Sequence, residues 1–385
     1  MSTLHRTVSV DLVDPERRDM TDEATPASQS PARRLKRCPE PLVEHYDAVI
    51  LDLDGVVYVG DTAVDGVAQV LATARQRDVT IAFVTNNASR TPESIAAALT
   101  GLGVQAEPDD VVTSAQAAAR AVADRVPPGS PVLVIGAEGL LSAVRQTGLV
   151  PVDSSDADPV AVVQGFGPDV GWQQLTEGAV AIRQGAIWVA SNTDLTLPTA
   201  RGPAPGNGAF VNALAAAVGT RPAVVAGKPH RPLFDETIRR TGSRLPLVVG
   251  DRLDTDIEGA VNCGADSLLV LTGVTDVPSL LKAAPGQRPS YVAWTLEGLV
   301  SAHEVPSRSG ADWRLGSWVG SVIGGRLQVS GPPQAEPDDA LRLATTAAWD
   351  WSDDNSGDDL RLDDVLTLFG QLGLLREEGV PHARR

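Results

Sequence analysis

The sequence predicts an α/β protein with a doubly wound parallel sheet, an inserted α/β cap domain and a small C-terminal α+β extension. Two observations lead to this prediction. Short apolar runs alternate with segments of helical length and pattern in two separate parts of the chain. Polar or acidic residues stand directly after several of these runs, as is typical of the carboxyl edge of a parallel sheet.

The first part of the core is predicted over residues 43–117. Its elements are a strand at 47–52, a helix at about 64–76, a strand at 79–84 and a helix at about 91–102. Thr91 followed by Pro92 is typical of a helix N-cap with proline at the first helical position. These alternating elements indicate β-α-β units.

Residues 118–224 are predicted to form the cap, with strands of their own at 131–135, 160–165 and 186–190. The alternation of core elements then returns over residues 225–300. Its elements are a helix at 231–241, a strand at 245–250, a helix at 254–263, a strand at 266–271 and a helix at 277–284. The whole is therefore a Rossmann-like core interrupted by an insertion that is large enough to fold.

Residues 301–385 form an extension of unknown role. Asp312–Ser330 is typical of a hairpin turning at Gly324–Gly325, and helices are predicted at about 337–349 and 360–373. Four of the seven tryptophans lie here, at positions 313, 318, 349 and 351, and we favour a local core over an interface as their role. The acidic run 353–359 lacks the spacing and terminal glutamate of a calcium loop, so we interpret it as a linker.

The first 42 residues are predicted to be a disordered tail. They are polar and charged, show no sustained periodicity, and are interrupted by Pro15, Pro26, Pro31 and Pro39. A short basic run at 33–37 allows contact with nucleic acid, but the acidity of the whole chain favours a solvated tail.

Composition limits the classes of partner. The 385 residues carry a formal net charge of −17, which disfavours nucleic acid and anionic membranes. Two cysteines, Cys38 and Cys263, are too few for a disulfide framework or a zinc site. The first residues lack a signal core, and no apolar run approaches membrane-spanning length. We expect a soluble, cytoplasmic protein that acts on a small molecule, and homo-oligomerisation stays open.

The first strand ends in a pair of acidic residues. Asp52 and Asp54 lie two apart, so both point the same way from the strand tip, and the permissive Gly55 follows. Two like charges this close persist most easily with a cation between them or with one carboxyl protonated. Both conditions suit phosphoryl transfer. Turn or helix-cap chemistry explains one such aspartate readily, but not the pair.

Three later segments share this pattern. Thr85 and Asn86 end the second strand with groups that can donate to phosphate oxygens. Lys228, one of only three lysines, stands between Gly227 and Pro229 and provides a compact positive charge. A later strand runs into Gly-Asp251-Arg-Leu-Asp254-Thr-Asp256, whose oxygen ligands suit Mg²⁺.

Together and in this order, the segments Asp-Leu-Asp-Gly-Val, Thr-Asn-Asn, Gly-Lys-Pro and Gly-Asp-x-x-x-Thr-Asp resemble the four motifs of the haloacid dehalogenase superfamily. The residues of these motifs are similar to those of its p-nitrophenyl phosphatase, phosphoglycolate phosphatase and glycerol 3-phosphate phosphatase branch. The resemblance covers about residues 43–300 and implies a Mg²⁺-dependent phosphatase that works through a phospho-aspartate.

The resemblance also implies roles for single residues. Asp52 would be the nucleophile and Asp54 the general acid/base. Thr85 and Asn86 would hold the phosphoryl group, and Lys228 would neutralise it and orient Asp52. Asp52, Asp251 and the backbone carbonyl of Asp54 would bind Mg²⁺, with Asp256 just behind them. Asp254 falls between motif positions and is interpreted as a helix-cap residue.

The cap bears on the choice of substrate. Its loops at 191–194 and 206–208 are read equally well as substrate contacts or as ordinary turns. If Asn192 and Asp194 contact the leaving group, they favour hydroxyl groups over a second anion, although Arg201 weakens this argument. We therefore predict glycerol 3-phosphate over phosphoglycolate or another small sugar or polyol phosphate.

Two other classes remain as alternatives. One is a phosphomutase, which shares both aspartates but more often carries its cap soon after the first motif. The other is a non-catalytic protein in which Asp52 only accepts phosphate, although such receiver domains lack a large cap. His230 follows Lys228 closely, but with no histidine or cysteine in the other motifs it is read as a helix start.

Overall fold

The computed structural model describes residues 33–199, 201–355 and 359–375. Most of the predicted tail, residues 1–32, lies outside this range, as does the middle of the acidic run at 356–358. Within the described ranges, no helix is both long and apolar enough to cross a membrane.

The core is a parallel sheet of six strands in the described chain. From one edge to the other they are Tyr291–Ala293, Asp266–Val270, Pro246–Gly250, Ala48–Asp52, Thr80–Thr85 and Val111–Thr113. Every neighbouring pair runs parallel. From Ala48–Asp52 the chain builds outward to one side and later returns to build the other. The topological switch therefore lies beside Ala48–Asp52, where open α/β sheets place their ligands.

Helices cover both faces of this sheet. They are Leu42–His45, Val67–Arg75, Pro92–Gly101, Ser114–Ala123, Arg231–Thr241, Glu258–Cys263 and Val277–Leu281. Thr91 caps the second long helix as predicted, since its hydroxyl accepts from the backbone N–H of Ser94. Alternate residues of the central strand enter opposite cores: Val49 and Leu51 pack into one and Ile50 into the other. This explains why the strand is a continuous apolar run.

The cap has a parallel sheet of its own. Its strands, in spatial order, are Val224–Val225, Ile187–Ala190, Ala161–Gln164, Pro131–Ile135 and Val150–Val152. Helices Glu138–Gln146, Trp172–Arg183 and Asn207–Val218 accompany it, and a small hairpin pairs Thr196–Leu197 with Ala204–Pro205. Helix Ser114–Ala123 runs across the predicted boundary at residue 118 because its alanine-rich faces pack into a cluster shared by core and cap.

The C-terminal extension is an antiparallel sheet with two helices. Its strands are Ser307–Ser309, Asp312–Leu315, Trp318–Ile323 and Arg326–Ser330, followed by helices Pro337–Asp354 and Asp363–Gln371. The predicted turn at Gly324–Gly325 joins the last two strands. The predicted hairpin is in fact three strands, because a second turn at Gly316 divides it.

Three of the four tryptophans in the extension are buried, and they pack against core residues such as Leu269 and Val292. The Trp349 indole donates to the carbonyl of Leu280 at 3.0 Å, and Arg288 makes a double ion pair with Asp353. The tryptophans therefore form a core that the extension shares with the central sheet.

The prediction of a disordered tail up to residue 42 is wrong for its last ten residues. Cys38 pairs through its backbone with His303, and Leu42 is fully buried. The basic run is neutralised by acidic partners on the fold: Arg34 with Asp350, Lys36 with Asp266 and Arg37 with Glu304. Partners this distant in sequence could not be read from the local composition.

Candidate active site

Three neighbouring strands of the core sheet bring the predicted catalytic residues together. Asp52 is the last residue of the central strand, Asp251 directly follows the strand Pro246–Gly250 on one side, and Thr85 ends the strand on the other. Because parallel strands end at one edge, these side chains meet there. Asp52, Asp251 and Asp256 offer carboxylate oxygens that lie within 4.8 Å of one another.

Lys228 is the cation at the centre of this group. Its Nζ donates to Asp52 Oδ1 at 2.5 Å and to Asp256 Oδ1 at 2.7 Å, and only 4% of the side chain is exposed. Burial alone would lower the pKa of Lys228, but the charges of Asp256 and Asp52 outweigh it and raise the pKa above its usual value. The ammonium group therefore stays charged and holds Asp52 in place.

Asp251 lies in a cradle of glycines. A Cβ atom on Gly273 would lie 1.8 Å from Asp251 Oδ2, and one on Gly55, which has a φ of +85°, would lie 2.5 Å from the same atom. Asp251 Oδ2 accepts from the backbone N–H of Val274, while Oδ1 is buried and has no hydrogen-bond partner among the described residues. Burial, and then the charges of Asp256 and Asp52, raise the pKa of Asp251.

This arrangement fits a divalent cation. Of three neighbouring buried carboxylates, Asp52 and Asp256 contact the Lys228 ammonium group, and the third, Asp251, keeps a buried oxygen without a hydrogen-bond partner among the described residues. Hard oxygen ligands with an excess of negative charge are the donor set that Mg²⁺ prefers. The predicted ligands Asp52 and Asp251 therefore lie together as a metal site requires, and Asp256 lies behind them against Lys228.

Asp54 stands apart from the buried cluster. Its side chain is open to the cleft, and the walls of the cleft exclude part of the solvent. This desolvation raises the pKa of its carboxyl, while the charge of Lys228 opposes the shift. A carboxyl that keeps its proton more readily than usual is suited to donate it to a leaving group.

The structure gives Asn86 more contacts than the sequence predicted. Its Oδ1 accepts from the backbone N–H of Lys228 at 2.8 Å, and its Nδ2 lies within hydrogen-bond distance of the Lys228 carbonyl and of Asp194. A phosphate-holding role was expected for this side chain. Its amide joins the Lys228 loop to the cap loop, and the predicted contact with phosphate stays a prediction.

The cap loop that follows strand Ile187–Ala190 reaches the same cleft. Asn192 Nδ2 donates to the Asn86 carbonyl at 2.6 Å, and Asn207 Nδ2 donates to the Asn192 carbonyl at 2.7 Å. Asp194 is half-buried, and desolvation raises the pKa of its carboxyl although Asn86 donates to it. Both cap loops, at 191–194 and 206–208, therefore line the cleft and are not turns at a distance from it.

The cleft between core and cap has a volume of about 600 Å³. Sequence reasoning missed two of its lining residues, Tyr58 and Arg252. Arg252 directly follows Asp251 in the fourth motif, and this position could have indicated that its side chain lies at the cleft. Asp254, read as a helix-cap residue, instead forms an ion pair with Arg252. His230 is the N-cap residue of the next helix, as expected, and does not line the cleft.

A doubly wound core with paired aspartates, a buried lysine and a covering cap defines a hydrolase of the phosphoryl-transfer class. Two family profiles match the chain: haloacid dehalogenase-like hydrolase over residues 49–150 and HAD-hydrolase-like over residues 225–299. The two matches flank most of the cap.

Relatives of known activity match most of the chain. It is 48% identical to the D-glycerol 3-phosphate phosphatase of Mycobacterium tuberculosis over 67% of this chain and 72% of that protein. It is 33% identical to an acid sugar phosphatase of Staphylococcus haemolyticus over 65% of this chain and 93% of that protein. The chain belongs to the haloacid dehalogenase-like hydrolases. Within that family it is a phosphoric monoester hydrolase.

Solved structures extend the likeness to the C-terminal extension. The glycerol phosphate phosphatase of M. tuberculosis in complex with magnesium superposes with a TM-score of 0.77 and 39% identity, over 87% of this chain and 100% of that chain. A 4-nitrophenylphosphatase from Thermotoga maritima has a TM-score of 0.62 and 29% identity, over 67% of this chain and 98% of that one. Core and cap alone cannot supply the larger coverage, so the extension has a counterpart in the mycobacterial structure.

Proposed function

We propose that the enzyme is a Mg²⁺-dependent phosphatase that hydrolyses glycerol 3-phosphate to glycerol and phosphate through a phospho-aspartate on Asp52. The observation that carries the substrate choice is the lining of the cleft. Among the described residues that line it, the cap contributes no lysine or arginine and presents Asn192, Thr193 and Asp194. The name of the 48% identical mycobacterial relative supports the same choice.

The first step would begin at Asp52. Lys228 keeps the Asp52 carboxylate oriented, and one of its oxygens attacks phosphorus while the bond to the leaving-group oxygen breaks. Asp54, whose raised pKa favours the protonated carboxyl, gives its proton to the departing alkoxide. Thr85 stands at the adjacent strand end with a hydroxyl suited to a phosphoryl oxygen.

The second step would reverse the role of Asp54. Having lost its proton to glycerol, the Asp54 carboxylate takes a proton from a water molecule that attacks phosphorus. The bond between phosphorus and Asp52 then breaks, and phosphate leaves. The cap above the cleft limits other water molecules during the reaction.

The Asp52 and Asp251 carboxylates, with the Asp54 backbone carbonyl, would hold Mg²⁺. When bound, the cation neutralises charge on the phosphoryl group and on the carboxylates around it. The buried, unpartnered Oδ1 of Asp251 supports this assignment.

The charge of the cap supports a polyol leaving group. A substrate with a second anion would need a cation near that anion, and Arg201 is exposed and is not among the described residues that line the cleft. The neutral amides and the Asp194 carboxylate suit hydroxyl groups instead. An acidic chain with two free cysteines is also consistent with a cytoplasmic enzyme that acts on a small phosphomonoester.

The test is kcat/KM for glycerol 3-phosphate against a panel of phosphoglycolate, hexose phosphates and a nucleoside 5′-monophosphate. The panel matters because relatives include an acid sugar phosphatase and a 5′-nucleotidase. We expect the highest value for glycerol 3-phosphate and loss of that preference in Asp194→Ala. A preference for phosphoglycolate would overturn the substrate but not the phosphatase.

Metal dependence has a separate test. A chelator should abolish turnover, and Mg²⁺ should restore it. Asp251→Asn should raise the Mg²⁺ concentration needed for half-maximal activity by at least about tenfold, since it removes one charged ligand. Full activity in excess chelator would contradict the proposed use of metal.

A further inference from the structure

The wall of the cleft carries an ion pair that none of the predicted roles includes. Arg252 Nε and Nη2 donate to the two carboxylate oxygens of Asp254, at 3.0 and 2.8 Å. This bidentate ion pair occupies the Nε–Nη2 edge of the guanidinium, which would otherwise be able to bind an incoming carboxylate. Both residues line the cleft, and their side chains are 43% and 60% exposed. The pair is therefore accessible to a substrate.

The charges along the cleft show why this pair matters. Lys228 and Arg252 are the cationic side chains among the described residues that line it. Lys228 donates to Asp52 and Asp256. Arg252 is engaged with Asp254, while the remaining lining carboxylates, Asp54 and Asp194, have no cationic partner within ion-pair distance in the described structure. The part of the cleft away from the nucleophile is thus negative overall.

Both members of the pair act on the cap loop through space. Desolvation is the main cause of the raised pKa of Asp194, and among the lesser contributions the charge of Arg252 lowers that pKa while the charge of Asp254 raises it. The two charges therefore reach the loop that we assign to the leaving group, and there they oppose each other.

We propose that Asp254 is a specificity-determining residue that masks Arg252, so that the cleft discriminates against phosphomonoesters whose leaving group carries a carboxylate. This inference rests on the proposed function and deepens it. Without Asp254, the guanidinium would be free to bind such a carboxylate. With Asp254 in place, a second anion meets an arginine whose charge is already balanced by a carboxylate.

A matched pair of substrates isolates the effect. 3-Phosphoglycerate differs from glycerol 3-phosphate by a carboxylate in place of the terminal hydroxymethyl group, so the ratio of their kcat/KM values reports one charge. Asp254→Asn should raise the 3-phosphoglycerate to glycerol 3-phosphate ratio by roughly threefold to tenfold, the range expected of a partly exposed charge pair. The change should lie mainly in KM for 3-phosphoglycerate and should shrink at high salt.

The reverse substitution should act in the opposite direction. Arg252→Met leaves Asp254 unpaired and should lower the ratio, whereas the double variant should return it close to that of the wild type. Arg252→Lys keeps the charge, so it should lower the ratio less than Arg252→Met. The matched control is Asp124→Asn, which removes one member of an exposed pair with Arg120 that does not line the cleft.

The outcomes separate this inference from the proposed function. A wild-type enzyme that prefers 3-phosphoglycerate would overturn both the substrate assignment and the proposed discrimination, whereas a wild-type preference for a hexose phosphate would overturn the substrate assignment alone. An unchanged ratio in Asp254→Asn, or an equal change in Asp124→Asn, would overturn the role of Asp254 whatever the natural substrate.

Discussion

At the nucleophile, a single ammonium group stands between two carboxylates in a buried site. Burying Lys228 without partners would be costly, but the contacts with Asp52 and Asp256 compensate for the lost hydration. The contact from Lys228 is made to one oxygen of Asp52, Oδ1. The ion pairs that stabilise buried Lys228 therefore also orient Asp52, the proposed nucleophile.

The two aspartates of the first motif should separate by mutation. Asp52→Asn removes the attacking carboxylate, and we expect turnover to fall on the order of 10⁴-fold or more. Asp54→Asn retains the nucleophile but loses proton transfer, which is expected to cost about 10²- to 10⁴-fold. Steady-state kinetics and acid-quench trapping of a phospho-enzyme measure both effects. Near wild-type turnover in Asp52→Asn would contradict the mechanism.

Asn86 should act as a positioning residue. Asn86→Ala removes the acceptor for the Lys228 N–H and the donor to Asp194, so both the lysine loop and the cap loop lose an anchor. We expect kcat to fall by roughly 10- to 100-fold, since small misplacement of reacting groups is costly. Kinetics and thermal melting should be measured together. Unchanged kcat with only a lower Tm would show that the contacts are purely structural.

At the scale of elements, the segments that follow strands carry the function. The Lys228 loop and the cap loop at Asn192 are both joined by hydrogen bonds to Asn86, which lies in the Thr85–Asn87 turn. Because each loop follows a strand, its position depends on the sheet to which that strand belongs. The cap is thus fixed to the core at the point where the substrate is to bind.

A second junction lies where the segment around Cys38, before the first strand of the core sheet, pairs with the segment around His303, after its last strand. His303 is buried there, its Nε2 lies 2.8 Å from the Gly298 carbonyl, and its ring meets Tyr291 edge-on. Burial, and then the charge of Arg342, lower its pKa from 6.5 to about 4. The folded protein therefore keeps His303 neutral where the unfolded chain would protonate it.

This predicts a pH-dependent loss of stability. Above about pH 6.5 His303 is neutral in both states and its ionisation has no effect, whereas the unfolded state binds an extra proton as the pH falls from there towards 4. The free energy of unfolding should decrease over that window by up to about 2 to 3 kcal/mol. Denaturant titrations of wild type and His303→Gln measure it. The same pH slope in both proteins would exclude His303 as the source.

At the scale of the whole molecule, the extension and the core form one folded body. Leu269 and Val292 of the central sheet belong to the same apolar cluster as Trp313, Trp318 and Trp349. If the extension were only attached to the surface of the core, Leu269 and Val292 would be buried by other core residues and not by the extension. We therefore expect the two parts to unfold together.

Trp349→Ala tests that cooperativity. It removes a side chain that is 2% exposed and packs under Arg288, and it should destabilise the protein by about 3 to 5 kcal/mol. Heat inactivation of the phosphatase should shift with the melting of the extension. Trp172→Ala is the control, because that tryptophan is 81% exposed on the cap and should change little. An unshifted inactivation temperature in Trp349→Ala would show two independent units.

Much of the core, and which residues meet in the candidate site, could be predicted because the signals are local. The strand Ala48–Asp52 is a short apolar run that ends in charge, and Lys228 stood out among only three lysines. The partners of the basic run and of Asp254 could not be predicted. Lys36 contacts Asp266, which lies 230 residues away, and the side chain of Asp254 could equally have capped a helix.

By itself, the sequence determined the class of fold and the order of the motifs, since periodicity and strand-end residues depend on near neighbours. The role of Asp52 as nucleophile is implied by the resemblance of those motifs and stays a prediction. Only the tertiary structure decided what each polar side chain contacts. The side chain of Asn86 joins the Lys228 loop to the cap loop, and Arg252 is paired with Asp254. Contacts of this kind depend on distances between strands and domains that no local pattern encodes, because the sheet and the cap must pack before those side chains meet.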